Sequence, residues 1–161
     1  MASVTSWKAL MEIVQKKIDS AQKNEVFEAV RDVYQDHVQS DVYNVYSPSA
    51  YVRRMENGGL IADENIVGNV NNNILEVMDV APLNKSEGAI TYNSQTYLTK
   101  IIENGLAYTG NAVYLFDQDM SGEPWANPRP FTKNTIDDLK QNKQHVEALK
   151  KGLKKRGIKT E

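Results

Sequence analysis

The stretch Asn65-Ile66-Val67-Gly68-Asn69-Val70-Asn71-Asn72-Asn73-Ile74-Leu75-Glu76-Val77-Met78-Asp79-Val80-Ala81 decides the fold class. Its even positions Ile66, Val70, Ile74, Met78 and Val80 alternate with more polar neighbours, the period of a half-buried strand pair. Asn71-Asn72-Asn73 interrupts the alternation at its middle and supplies the turn, because asparagine tolerates the backbone conformations that tight turns need. Every other strongly periodic segment has helical spacing. The expected fold is therefore α+β, with helices packed on a small antiparallel sheet.

Outward from the hairpin, residues 6 to 22 place Trp7, Leu10, Met11, Val14 and Ile18 on one helical stripe, with Ser6 able to cap the first turn. A second stripe, Phe27, Val30, Tyr34 and His37 or Val38, predicts a helix from about Glu25 with Asn24 as its cap. Together they predict a helical hairpin over 1–40. Asp41 to Tyr46 favours extended chain, and Ser47-Pro48 opens a short helix through Tyr51 to Met55 that Asn57-Gly58-Gly59 ends. Asn84 to Asn93 is a polar loop, and Tyr97 to Glu103 is a short helix stopped at Asn104-Gly105. In the loop Tyr108 to Trp125, Val113-Tyr114-Leu115-Phe116 could be a strand.

Trp125-Ala126-Asn127-Pro128-Arg129-Pro130-Phe131 holds two prolines two apart, which fix an extended, stiff lead-in to the next element. That element is a long C-terminal helix, predicted over 132–158. Ile136, Leu139, Asn142, Val146, Leu149 and Leu153 recur at spacings of three and four, a nearly coiled-coil seam, and Gly157 ends it. The parts 1–40, 41–131 and 132–158 have no Gly-rich or Pro-rich hinge between them, so a single domain over 1–161 is expected. At 161 residues the chain can bury roughly two thirds of its unfolded surface in one core.

The net charge of −2 is unevenly spread. Residues 140–161 carry eight Lys or Arg against Glu147 and Glu161, a local charge of +6 that leaves −8 on residues 1–139. Absence of cysteine excludes disulfides and thiolate metal sites. Met1 to Lys17 has no apolar core of signal-peptide length, and nowhere do about 18 apolar residues run together, so neither export by that route nor a membrane span is expected.

No motif carries a reaction. Asp117, Asp119, Ser121 and Gly122 copy the first half of a calcium loop, but its twelfth position, which needs a bidentate Glu, is Pro128. His37 and His145 sit on helix faces without an i+4 partner, and neither a Gly-x-Ser-x-Gly elbow nor a Gly-rich phosphate loop is present. The expectation is a protein without catalytic residues, metal or cofactor. Arg53 and Arg54, adjacent on the expected short helix, point in different directions, so that one can meet an acidic neighbour while the other meets a partner subunit or a phosphate. Lys150, Lys151, Lys154, Lys155 and Arg156 complement a helix dipole, dock on an acidic protein surface, or line a passage for nucleic acid.

Several fragments together resemble the small neck proteins of tailed bacteriophages, the tail-completion or head-tail joining (connector) family. They are Tyr46-Ser47-Pro48 with Tyr51, Arg53-Arg54 and Gly58-Gly59-Leu60, then Tyr97-Leu98 through Ile102-Glu103-Asn104-Gly105, then Pro128-Arg129-Pro130-Phe131 before a terminal helix. The likeness spans roughly Tyr43 to Lys155, and His145 to Lys150 also looks like the ending of such proteins from phages of Gram-positive hosts. Departures are the long loop Gly105 to Ala126 and Asn57-Gly58-Gly59-Leu60 in place of the usual Thr-Gly-x-Leu.

The resemblance implies a structural virion protein made in the host bacterial cytoplasm. It would be a subunit of a homo-oligomeric ring, six-fold or twelve-fold, in the virion neck or tail. Its neighbours would be connector, stopper, tail terminator or tail tube proteins, with the genome passing through the lumen. Arg53, Arg54, Trp125, Arg129, Pro130 and Phe131 are then expected at subunit interfaces, or Arg129 to Phe131 as the seat of the last helix on the sheet, with Phe131 and Trp125 equally open to a place in the core. Lys150, Lys151, Lys154, Lys155 and Arg156 would meet luminal DNA or an acidic partner. The alternatives are a DNA-binding accessory protein that uses the basic helix, a minor capsid or tail component elsewhere in the virion, or a metal-dependent hydrolase built on Asp117, Asp119 and Glu123.

Overall fold

The computed structural model describes residues 6–45, 47, 52–82, 98–105 and 127–160. The chain has no glycine or proline before Pro48, and its first segment never leaves the helical region. Helix α1, Trp7–Ala21, passes through a π-helical turn, Gln22–Val26, into α2, Phe27–Val38, which ends in a second π-turn, Gln39–Tyr43. Ser6 caps α1 as expected, its Oγ accepting from Ala9 N at 3.2 Å. The expected helical hairpin is absent. Asn24 is not a cap: its Nδ2 donates back to Ser20 O at 2.7 Å, one helical turn earlier, and so holds the backbone helical where a turn was expected. Asp41 to Tyr43 is likewise helical where extended chain was expected, because Val42 continues the buried stripe.

The short helix through Met55 is also absent from the described residues. Val52 to Arg54 has no regular structure, and Met55 (φ 46°) and Gly58 (φ 80°) turn the chain, with Asn57 N donating to Arg54 O at 2.7 Å. A single 3-10 turn, Asp63–Asn65, leads into β1, Ile66–Asn71, which pairs with β2, Ile74–Asp79, in a two-stranded antiparallel sheet. Asn72 (φ 49°) and Asn73 (φ 64°) form the turn, both left-handed as a two-residue hairpin loop demands. Such a loop places even-numbered residues of β1 opposite odd-numbered residues of β2. Ile66 is accordingly buried, while Ile74 and Met78, expected on the same face, are 62% and 53% exposed and the covered side of β2 is Leu75, Val77 and Asp79.

Helix α3, Leu98–Asn104, stops at Gly105 (φ 73°) as the sequence predicts. Ile102 O receives Arg129 N at 3.1 Å, and Phe131 N donates to Arg129 O at 2.9 Å across Pro130, a tight three-residue turn that delivers the chain into α4, Phe131–Asn142. The Glu103 carboxylate accepts from Thr132 N at 3.0 Å, so α3 caps the positive end of α4. The single helix expected over 132–158 is broken. Lys143 adopts a left-handed conformation (φ 54°, ψ 27°), and α5, Gln144–Lys155, starts after it. That conformation costs a residue with a side chain about 1–2 kcal/mol.

The described chain gathers into two compact units, residues 1–32, 68–77 and 138–161 in one and 33–67 and 78–137 in the other. The larger apolar core lies in the second: Val33, Tyr34, Val38, Val42, Leu60, Ala62, Ile66, Ala81 and Phe131 are buried. Phe131, fully covered, meets the Tyr34 ring edge-on at 5.6 Å, and the Tyr34 hydroxyl donates to Asp79 Oδ2 at 2.6 Å. Burial pushes both the Tyr34 phenol and the Asp79 carboxyl above their ordinary pKa values. In the first unit Gly68 lies under Phe27, where a Cβ would stand 2.5 Å from the ring, and the side chains of Gln15 and Gln22 hold the hairpin turn at Asn73.

This core sets two stability outcomes. Phe131→Ala should cost about 3–5 kcal/mol in urea unfolding, the range for emptying a buried aromatic site. Tyr34→Phe keeps the ring but strips Asp79 of a donor, and should cost about 1–3 kcal/mol.

Candidate functional site

Gly152 fixes where α5 sits. A Cβ there would stand 2.9 Å from Ala21 Cβ and 2.8 Å from Glu25 Oε2, so only glycine allows the helix onto the end of α1 and the first π-turn. A glycine inside a helix costs about 1 kcal/mol relative to alanine, and close approach is what it gives in return. One turn later Arg156 closes the contact. Its Nη1 donates to Glu25 Oε2 at 2.7 Å and to Gly152 O at 2.7 Å, its Nε to Ser20 Oγ at 3.1 Å and its Nη2 to Ser20 O at 3.0 Å. Lys155 Nζ adds a contact to Glu25 Oε1 at 3.2 Å. Burial pushes the Glu25 carboxyl up, but the hydrogen bonds from Lys155 and Arg156 outweigh it and hold the pKa below the ordinary value.

The five basic residues singled out at this end therefore divide. Arg156 and Lys155 are engaged with α1 and the π-turn. Lys150 pairs with Glu147 at 3.3 Å along its own helix, and Lys151 and Lys154 are exposed. The face left to meet a partner is Lys150, Lys151 and Lys154. Sequence reading missed Ser20 and Glu25 because nothing in a local pattern marks which acid a distant cation will find.

Of the two roles expected for Arg129 to Phe131, interface contact or seat of the last helix, burial within this chain fits the seat. Phe131 is fully buried and Arg129 is 8% exposed, so neither offers an outer surface in this chain; the lead-in seats α4 on Tyr34 of α2. Pro130 alone of the three is exposed. Arg53 Nη1 donates to Tyr43 O at 2.6 Å with its guanidinium 5.2 Å over the Tyr43 ring, and Arg54 Nη2 donates to Pro82 O at 2.7 Å. Both arginines are half-buried supports of the chain around them. Trp125, the half-matched calcium loop at Asp117 to Gly122, Glu123, Val113 to Phe116 and the loop 84–93 lie outside the described residues.

An acidic groove of about 480 Å³ opens in the second unit, lined by Asp36, Glu56, Asp63 and Glu64 with Gln35 and Gln39. Gln35 Nε2 braces its wall by donating to Ile61 O at 2.8 Å and Asp63 Oδ1 at 2.9 Å. These acids are spread over α2, the turn after Arg54 and the 3-10 turn, which is why no motif announced them. His37 Nδ1 lies 3.4 Å from Asp41 Oδ2, an oxygen that also accepts from Asn134 Nδ2 at 2.8 Å. Among the described residues no group of three or more His, Asp or Glu is placed to hold a metal ion, and no helix is long and apolar enough to cross a membrane. The arrangement offers surfaces of opposite charge.

Comparison with known proteins gives this geometry a context. The family described as YomN matches residues 6–155. The SPbeta prophage-derived uncharacterized protein YomN of Bacillus subtilis (strain 168) is 33% identical over 127 residues, covering 79% of this chain and 75% of that protein. No solved structure matches.

The Glu25 clamp has a pH signature. A carboxyl whose pKa falls on folding contributes stability that is complete above its unfolded pKa and is lost as the pH drops through the lower folded one. Urea unfolding at a series of acid pH values should show that loss, and Glu25→Gln should flatten it. At neutral pH, Arg156→Ala should cost about 2 kcal/mol.

Proposed function

This chain belongs to the YomN family, a phage-derived protein family, and on that premise we propose that it is a structural protein of a tailed-phage virion. In this reading it is a tail-completion or head-tail connector subunit, one copy in a ring that joins the capsid connector to the tail tube around the DNA channel. The observation that carries the reading is the pairing, on one chain, of an acidic groove in one unit with exposed lysines in the other. Opposite signs on different parts of a subunit favour head-to-tail contacts between copies, and such contacts close into rings when the rotation allows. Work of this kind needs no bond-making step, and the reading assigns none to any residue.

The DNA-binding alternative has a narrower footing. Of the five basic residues between Lys150 and Arg156, Arg156 and Lys155 are occupied by Glu25, which leaves Lys150, Lys151 and Lys154 of that cluster for phosphates. Few phosphate contacts give weak, salt-sensitive binding. In the ring reading the same three lysines face either the lumen or an acidic neighbour.

Mass spectrometry of purified particles decides the matter. The protein should be present in several copies per virion, and phage lacking its gene should accumulate filled heads and separate tails. Absence from particles, or normal joined virions without the gene, overturns the neck assignment; presence in the capsid or tail fraction alone moves the protein elsewhere in the virion.

A further inference from the structure

We infer that α5 is an exchangeable arm, which leaves its own seat by straightening at Lys143 and occupies the corresponding seat of a second copy of this chain. The break at Lys143 is not written into the local sequence. Gln141-Asn142-Lys143-Gln144-His145 contains neither glycine nor proline, and lysine is a good helix former. Ile136, Leu139, Val146, Leu149 and Leu153 keep helical spacing straight through the break, the pattern of one uninterrupted helix.

The hydrogen bonds of both helices run up to the break and meet on Lys143. Lys143 N donates to Leu139 O at 3.0 Å, and Val146 N and Glu147 N donate to Lys143 O at 2.9 and 3.1 Å. Lys143 is the one residue of the stretch with a left-handed backbone, and returning it to the right-handed region would let residues 144–146 bond to 140–142 and merge α4 with α5. The bend thus comes from the docking of α5, and docking holds a strained residue in place. In the bent state Ile136 and Val146 are still 46% and 36% exposed, whereas a straight helix would align them with Leu139, Leu149 and Leu153 along one face.

The seat itself suits exchange. Of the buried apolar residues described, only Ala21 and Val26 belong to the unit that holds α5. The specific contacts of the attachment are Arg156 and Lys155 on Glu25, Arg156 on Ser20, and Gly152 close against Ala21, with Leu149 and Leu153 of α5 half-buried. Each of these contacts re-forms unchanged on another copy, so the two states differ chiefly by the strain at Lys143 and by the concentration of partners. That is the condition under which identical elements are swapped between protomers. The inference goes beyond the neck assignment and holds for purified protein wherever in the virion it belongs.

Charge reversal separates exchange from a closed arm. Glu25→Arg and Arg156→Glu each set like charges against each other within any one chain and within any homo-oligomer of that variant. Mixed, the two variants restore opposite charges only between chains. The glutamate introduced at position 156 of one then meets the arginine introduced at position 25 of the other, and the native Arg156 meets the native Glu25. Native mass spectrometry of an isotope-labelled E25R sample mixed with unlabelled R156E should find species containing both chains, in excess over either variant's self-association. A mixture of unassociated chains, with the double variant E25R/R156E folded by circular dichroism, overturns the inference.

The hinge gives a second readout that leaves the clamp untouched. Lys143→Gly relieves the left-handed strain and should favour the bent chain about fivefold per hinge relative to Lys143→Ala, which favours the straight helix. Sedimentation equilibrium should therefore find K143A more associated than K143G. Equal association of the two overturns the exchange.

Discussion

The second unit is organised by Tyr34. Its ring takes the edge of Phe131, its hydroxyl takes Asp79, and its backbone belongs to a helix that carries Val33 and Val38 into the same core. One residue thereby joins the first helical segment, the end of β2 and the start of α4. A polar group at the centre of an apolar core is tolerable only when its partners are fixed. Here the other Asp79 oxygen is fixed by Ala81 N at 2.7 Å, so the network is pinned at both ends. Asp79 sits in a setting that disfavours its charge, which means the core gains rather than loses as protons become available just above the ordinary carboxylate range. Glu25 runs in the opposite sense.

The two units are held by different physics. One relies on a cluster of buried aliphatic and aromatic side chains, a non-directional and cooperative attraction. The other relies on Gly152 in close apposition to Ala21 and on Arg156 reaching Ser20 and Glu25. Directional contacts of the second kind can be broken and remade at modest cost, since water and other copies offer equivalent partners.

Much of the architecture was readable from local chemistry. The asparagine turn, the Ser6 cap, the stop at Gly105 and the helical character of residues 131–155 all rest on neighbours in sequence, and all are present. What escaped was set by distant partners. Asn24 reads as a cap until its bond to Ser20 O is seen, the parity of β2 depends on a turn length that the alternation alone does not give, and Phe131 stays open between interface and core until Tyr34 is found beneath it. The break at Lys143 escaped as well, because Gln141 to His145 holds neither glycine nor proline to mark it. The surface was the least legible part: the basic run was visible in composition, but its division between Glu25 and open solvent was not.

The hydrogen bond from Arg129 N to Ile102 O, with Glu103 capping α4 beside it, brings together two points far apart along the chain. The polypeptide between them departs from and returns to one anchored junction. Anchoring two such points closes the chain between them, and the entropy cost of closure grows only as a logarithm of the length closed, about 0.6 kcal/mol for each doubling.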